Sequence, residues 1–153
     1  MVESGKKWEI MFFGNYSHSL DEKGRLVIPR KMREVLGLKI FIMKGFDGAL
    51  AIYKEEAFSA LVEELKKYSF NKKENRDYLR IKLASIVELE VDKLGRVQIP
   101  QAILTKYHIS KDVVVLGAGD HIEVWDNKSF DEYYNSVEED YEDIAERLDY
   151  DNE

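Results

Sequence analysis

The sequence predicts an α+β fold, mainly β: a tandem duplication whose two copies build one pseudo-symmetric β-barrel with flanking helices. Two observations carry this, an internal repeat and a regular succession of strand, turn and helix signatures in each copy. A third bounds it. The chain has 153 residues, 44% hydrophobic and 35% charged, which suits one domain or two small ones around a buried core.

The repeat comes first because it sets the organisation. Asp21-Glu-Lys-Gly-Arg-Leu-Val-Ile-Pro29 recurs as Asp92-Lys-Leu-Gly-Arg-Val-Gln-Ile-Pro100, an offset of 71 residues. Further on, Phe41–Gly45 aligns with Val113–Gly117, Leu50–Tyr53 with Ile122–Trp125, and Phe58 with Phe130, all at an offset of 72. That change places one inserted residue near Ser110.

Within each copy, Asn15–Leu20 and Ile86–Val91 read as strands. The Asp-x-x-Gly segment after them is a turn, since aspartate bonds nearby amides and glycine tolerates positive φ. Arg25–Ile28 and Arg96–Ile99 return as short strands. Pro29 and Pro100 suit the first position of a helix. Met32, Val35 and Leu36 then form one helical stripe, and Ile103, Leu104 and Tyr107 the other. A second hairpin turns at Gly45–Gly48 and at Gly117–Asp120.

Closing helices follow, marked by Phe58, Leu61, Val62 and Leu65 in one copy. In the other, Phe130, Tyr133, Tyr134, Val137, Tyr141, Ile144 and Leu148 mark one long helix. Lys66–Arg80 reads as a polar connection, followed by a helix with Tyr78, Ile81 and Leu83. About four short strands per copy are too few to close a barrel alone, so the halves are expected to pair with each other. The expected divisions are an N-terminal extension (1–10), a first repeat (11–66), a connecting segment (67–84), a second repeat (85–130) and an acidic C-terminal helix or tail (131–153).

Charge is unevenly placed. The net −7 seems to exclude nucleic acid, which needs a positive surface. From Asp131 to Glu153, however, eleven acids face one base, Arg147, for a net −10. Residues 1–130 hold 22 bases and 19 acids, a net +3. Partners are therefore argued from the body. The chain has no cysteine, which excludes disulfides and thiolate metal sites. No apolar run approaches the roughly 20 residues of a spanning helix. The start carries lysine and glutamate rather than a secretory stretch, and a cytoplasmic protein without membrane contact is expected.

Enzyme chemistry finds no support in the sequence. His18, His108 and His121 lack metal-ligand spacing and read as surface or turn residues. Gly117-Ala-Gly119 leads into a strand rather than a helix, so it is a turn and not a phosphate loop. Nothing assembles a nucleophile, a base and an orienting group. Neither a metal, a cofactor nor a small-molecule substrate is expected. The Asp-x-x-Gly-Arg turn differs, because it occurs twice with its arginine kept. An arginine raised on a hairpin tip suits bidentate contact with guanine O6 and N7, and Lys23 and Lys93 beside it suit phosphates. The alternative is that Arg25 and Arg96 only brace the turn by pairing with the adjacent aspartate. The residues alone leave both open.

Met11-Phe-Phe-Gly-Asn-Tyr16, Leu20–Pro29 and Asp92–Arg96 together resemble the MraZ family of bacterial transcription regulators, over about Met11 to Leu148. The resemblance implies a barrel related to the AbrB-type swapped hairpin, and a ring-shaped, octamer-like homo-oligomer. It also implies binding to direct repeats in double-stranded DNA, in promoters of the division and cell-wall gene cluster. The family's DNA-contacting motif falls on Asp21, Lys23, Gly24 and Arg25, and on Asp92, Gly95 and Arg96. In the second copy Leu94 stands where the first has Lys23, and the nearby base is Lys93. The competing reading from another class is an oligomeric scaffold or a non-specific nucleoid-associated protein.

Overall fold

The structure, a computed structural model, describes residues 11–149. The expected extension at 1–10 and the last residues of the tail, 150–153, lie outside the described residues. The first copy runs β1 (Asn15–Ser19), β2 (Arg25–Val27), α1 (Arg30–Leu36), β3 (Lys39–Lys44), β4 (Leu50–Lys54) and α2 (Glu55–Leu65). A connecting helix, α3 (Lys73–Ala84), leads to β5 (Val87–Glu90), β6 (Arg96–Gln98), α4 (Gln101–Lys106), β7 (Asp112–Gly117), β8 (Ile122–Asp126), α5 (Asn127–Glu138) and α6 (Tyr141–Glu146). The fold is α+β with strands dominating its core, as the repeat predicts.

Local chemistry sets the boundaries. Pro29 and Pro100 stand at the N-caps of α1 and α4, with φ −53° and −55° and extended ψ. They precede the first helical residue rather than occupying it. Asp126 caps α5 through its carboxylate, which accepts from the Ser129 amide at 3.4 Å and from Ser110 N and Oγ at 2.9 and 2.7 Å. Two helices differ from expectation. α3 begins at Lys73, inside the segment read as a polar connection, and the long closing helix is broken at Glu139–Asp140 into α5 and α6.

The copies interlock. One six-stranded antiparallel sheet has the order β1-β7-β8-β4-β3-β5, and β2 pairs with β6 in a separate two-stranded ribbon. Each copy contributes one internal hairpin, β3–β4 or β7–β8, while its first strand crosses to the other copy's third: β1 with β7, β5 with β3. The ladders obey a pseudo-twofold relation. Its axis passes between Leu26 and Val97 in the ribbon, and between Ala51 and Glu123 in the β4–β8 pair.

This symmetry corrects the alignment of the repeats. Ser17 pairs with Val114 and Glu88 pairs with Phe41. Ser17 and Glu88 are 71 apart, so the equivalents Phe41 and Val114 are 73 apart, not 72. Burial agrees: Ile40, Ile42, Val113 and Val115 lie in the central core, whereas Phe41 and Val114 belong to the clusters of the opposite face. Two residues are thus inserted before β7. The turn after it is one shorter, closing from Ala118 N to His121 O where the first copy closes from Gly45 N to Ala49 O. The offset then returns to 72.

The hydrogen-bonded sheet is not closed, because β1 and β5 remain its edges. The β2–β6 ribbon covers the core-facing side of the sheet instead. Its inward residues Leu26, Ile28, Val97 and Ile99, at most 1% exposed, join Ile42, Ile52, Val115 and Val124 in one cluster, with Met32 and Leu36 of α1 and Leu104 of α4. On the outer face, α2 covers Phe41, Met43 and Tyr53, with Phe58 stacked on Phe41 at 3.9 Å between ring centroids. α5 sets Phe130 against Trp125. Among the described residues no helix is long and apolar enough to cross a membrane.

Candidate functional site

The two Asp-x-x-Gly-Arg segments form near-identical turns. Asp21 N–H donates to Arg25 O at 3.1 Å, and Gly24 N–H to Asp21 O at 3.0 Å; the second copy repeats this with Asp92, Arg96 and Gly95 at 2.8 and 2.9 Å. The Asp21 carboxylate accepts through Oδ1 from the Lys23 and Arg25 amides, both at 2.9 Å, and Asp92 accepts likewise from Leu94 and Arg96. The Arg25 amide, the Arg25 guanidinium and the Lys23 amide hold the Asp21 carboxyl below the ordinary aspartate range, and the equivalent donors do so for Asp92. Both turns are built around an ionised aspartate.

Each arginine completes its brace. Arg25 Nε lies 2.5 Å from Asp21 Oδ2, and Arg96 Nε lies 2.9 Å from Asp92 Oδ2. The pairing raised as an alternative in the sequence is therefore present. It does not consume the arginine. A guanidinium that donates through Nε keeps its Nη1–Nη2 fork on another edge of the same plane. The aspartate fixes the plane, so the fork is oriented in advance.

The arginines do not stand on two separate hairpin tips. β1 and β2 lie in different ladders, as do β5 and β6, so each turn crosses from sheet to ribbon. In the ribbon Arg25 faces Gln98, and Val27 faces Arg96. Strand alternation sends Leu26 and Val97 into the core and these four residues outward together. Arg25 and Arg96 stand diagonally across one exposed face, with Cα atoms about 7–8 Å apart. Val27 (41% exposed) and Gln98, whose Nε2 donates to Lys23 O at 3.1 Å, complete that face. Sequence reasoning missed Val27 and Gln98, although their alternation with Leu26 and Val97 was visible.

The glycines are structural. Gly24 and Gly95 are buried at φ 78° and 80°, where an L side chain is strained. A Cβ on Gly24 would meet Ile99 O at 3.0 Å and Leu104 Cδ1 at 3.3 Å. One on Gly95 would overlap Arg33, the α1 residue equivalent to Leu104. Each turn is thus clamped by the other copy's helix. Arg33 Nη1 donates to Leu94 O at 3.4 Å, while its Nε is buried without a hydrogen-bond partner. Lys23 and Lys93 are exposed beside the turns, and Leu94 is 66% exposed.

A second charged cluster forms around His121, which sits in the β7–β8 turn as the sequence suggests but is not a bare surface group. Its ring stacks on Tyr53 of the other copy at 4.7 Å, with Nδ1 at 2.8 Å from Asp120 Oδ1 and Nε2 at 3.7 Å from Glu123 Oε2. Burial disfavours the imidazolium, but the two carboxylates outweigh it and push the pKa up to about 9. Glu123 Oε1 also accepts from Trp125 Nε1 at 2.8 Å. Among the described residues no group of three or more His, Cys, Asp or Glu could hold a metal ion.

Comparison with known proteins gives a consistent result. The family model described as "MraZ protein, putative antitoxin-like" matches residues 11–81 and again 83–152. A Mesoplasma florum protein named "Transcriptional regulator MraZ" is 41% identical over 140 residues, covering 91% of this chain and 96% of its own. A protein of the same name from Caldanaerobacter subterraneus subsp. tengcongensis is 40% identical over 139 residues, with 91% and 97% covered. One from Clostridium tetani is 40% identical over 138 residues, with 90% and 96% covered. The name these relatives share is that of a regulator, not an enzyme.

Proposed function

Because the chain belongs to the MraZ family, we propose that it is a transcription regulator that reads double-stranded DNA with the outward face of the β2–β6 ribbon. The observation that carries this reading is the convergence of two aspartate-braced arginines, Arg25 and Arg96, on one face of a two-stranded ribbon. A major groove admits such a ribbon, and an arginine fork matches guanine O6 and N7. Their diagonal of about 7–8 Å spans about two base-pair steps of about 3.4 Å each. Val27 between them suits a thymine methyl group, and Lys23 and Lys93 suit the flanking phosphates.

One such face binds weakly, because the body carries only a net +3. A homo-oligomer of the ring kind presents the face repeatedly. On repeated DNA boxes the linked contacts gain affinity through effective concentration. The target implied by the resemblance is a set of direct repeats in promoters of division and cell-wall genes, including the region upstream of the protein's own gene.

An anisotropy titration of that upstream duplex, against a scrambled duplex of equal length, tests the reading. Wild type should prefer the repeats, with affinity falling steeply as salt rises. Arg25→Ala should abolish the preference while circular dichroism and oligomer mass stay unchanged. Equal binding to both duplexes would instead support the scaffold or non-specific nucleoid reading.

A further inference from the structure

Two surfaces of the described chain lack a covering element, and they are opposite in charge. The first is the linker into α3 and the exposed face of that helix. Residues 66–83 hold seven bases, of which Lys82 is buried, and two acids, a net +5. Lys72, Arg76 and Arg80 follow one another at helical spacing. Tyr68, Phe70 and Ile81, each at least half exposed, place apolar surface beside them, and Arg80 lies over the Phe70 ring at 5.2 Å.

The second surface is the outer half of α5 with α6. Residues 131–149 hold nine acids against Arg147, a net −8. α6 has six residues and buries none of them. A helix that short is marginal in water without a packing surface. Tyr141 and Ile144 share one face of α6 at i and i+3, and Leu148 adds an exposed apolar side chain two residues past its end. Tyr141 and Leu148 are about 70% exposed (72% and 69%). Exposed apolar side chains grouped together and rimmed by charge mark contact surfaces.

We infer that the acidic α5–α6 face of one copy docks on the basic α3 face of the next. The apolar face of α6 covers the exposed aromatic and aliphatic groups around α3, and Glu142 and Glu146 meet the Lys72–Arg80 stripe. The contact joins two different patches, so it is heterologous. It repeats head to tail and closes into a ring when the rotation between copies allows. This rests on the proposed homo-oligomer and names the surfaces that build it. The acidic α5–α6 segment is then an assembly element, and its net −8 is neutralised within the assembly rather than facing DNA.

The test uses the full chain and sedimentation velocity. Glu142→Lys with Glu146→Lys reverses the tail; Lys72→Glu with Arg80→Glu reverses the helix. All four side chains are exposed, so the fold is kept and circular dichroism should be unchanged. Each reversed variant should fall to single-chain mass. Mixing the two should restore the assembly, because alternating copies then present opposite charges at every contact. Tyr141→Ser with Leu148→Ser, which changes no charge, should also dissociate it. Reversed variants that keep the wild-type mass, or a mixture that stays dissociated, would overturn the inference and leave the oligomer reading standing. A wild-type chain that sediments as a single copy would overturn both.

Discussion

Replacing Gly24 and Gly95 by alanine, one at a time, separates backbone strain from packing in the two turns. Both hold φ close to 80° (78° and 80°), where a Cβ costs roughly 1–2 kcal/mol. Alanine also narrows the unfolded ensemble, which offsets about 0.4–1 kcal/mol of that strain. At Gly95 the methyl group displaces Arg33, a flexible side chain held there by a weak 3.4 Å bond and carrying a buried Nε with no partner. Gly95→Ala should therefore cost about 1 kcal/mol, close to strain alone. At Gly24 the methyl group meets the Ile99 carbonyl at 3.0 Å, and the Ile99 amide itself donates to Gly24 O at 3.0 Å. That carbonyl cannot withdraw without pulling on the bond that ties the turn to the other copy's strand. With an overpacking penalty added, Gly24→Ala should cost about 2–3 kcal/mol. Urea unfolding followed by far-UV circular dichroism measures both. Equal costs, or the larger cost at Gly95, would refute the claim that the Ile99 carbonyl holds its place against Gly24 while Arg33 yields at Gly95.

Three further outcomes follow from the same geometry. Leu26, fully buried on the pseudo-axis, should cost about 3 kcal/mol and about 10 °C in Tm when changed to alanine, read by calorimetry; a loss under about 1 kcal/mol would deny the ribbon its place in the core. Arg33→Leu, which copies Leu104 of the other repeat, should stabilise the chain by about 1 kcal/mol by removing the buried unpartnered Nε; a less stable variant would show that the Leu94 contact matters more. His121 has its folded pKa raised from 6.5 to about 9, so its ion pairs contribute fully below pH about 6.5, and that contribution fades as pH rises through about 9. Relative to His121→Gln, wild-type stability should decline over that window in urea midpoints, and a parallel pH dependence would contradict the charged pairing.

Much of the fold was legible because the duplication repeats the turn chemistry. Asp21 with Gly24 and Asp92 with Gly95 located the turns, and the proline positions located α1 and α4. Strand partners were not legible. Periodicity tells which face a residue occupies, not which strand lies beside it, and a turn from β1 to β2 reads the same whether or not those strands pair. The register slip at β3 and β7 has a related cause. Ile40–Met43 and Val113–Leu116 are apolar throughout, since both faces of these strands are covered, and without alternation no residue marks the phase. The turn position of His121 was legible, but its ring stacking was not, because the partner, Tyr53, comes from the other copy. The repeat singled out both arginines; that they meet on one ribbon face follows only from the interlocked topology.

The central claim is that Arg25 and Arg96 act on the same stretch of DNA rather than as two independent tips. Selection of bound duplexes from a random pool, with wild type, Arg25→Ala and Arg96→Ala in parallel, tests it most directly. Each variant should lose guanine preference at a different single position, and the two positions should lie about two base-pair steps apart within one repeat. Preferences unchanged in both variants, or lost positions falling in different repeats, would contradict the shared ribbon face.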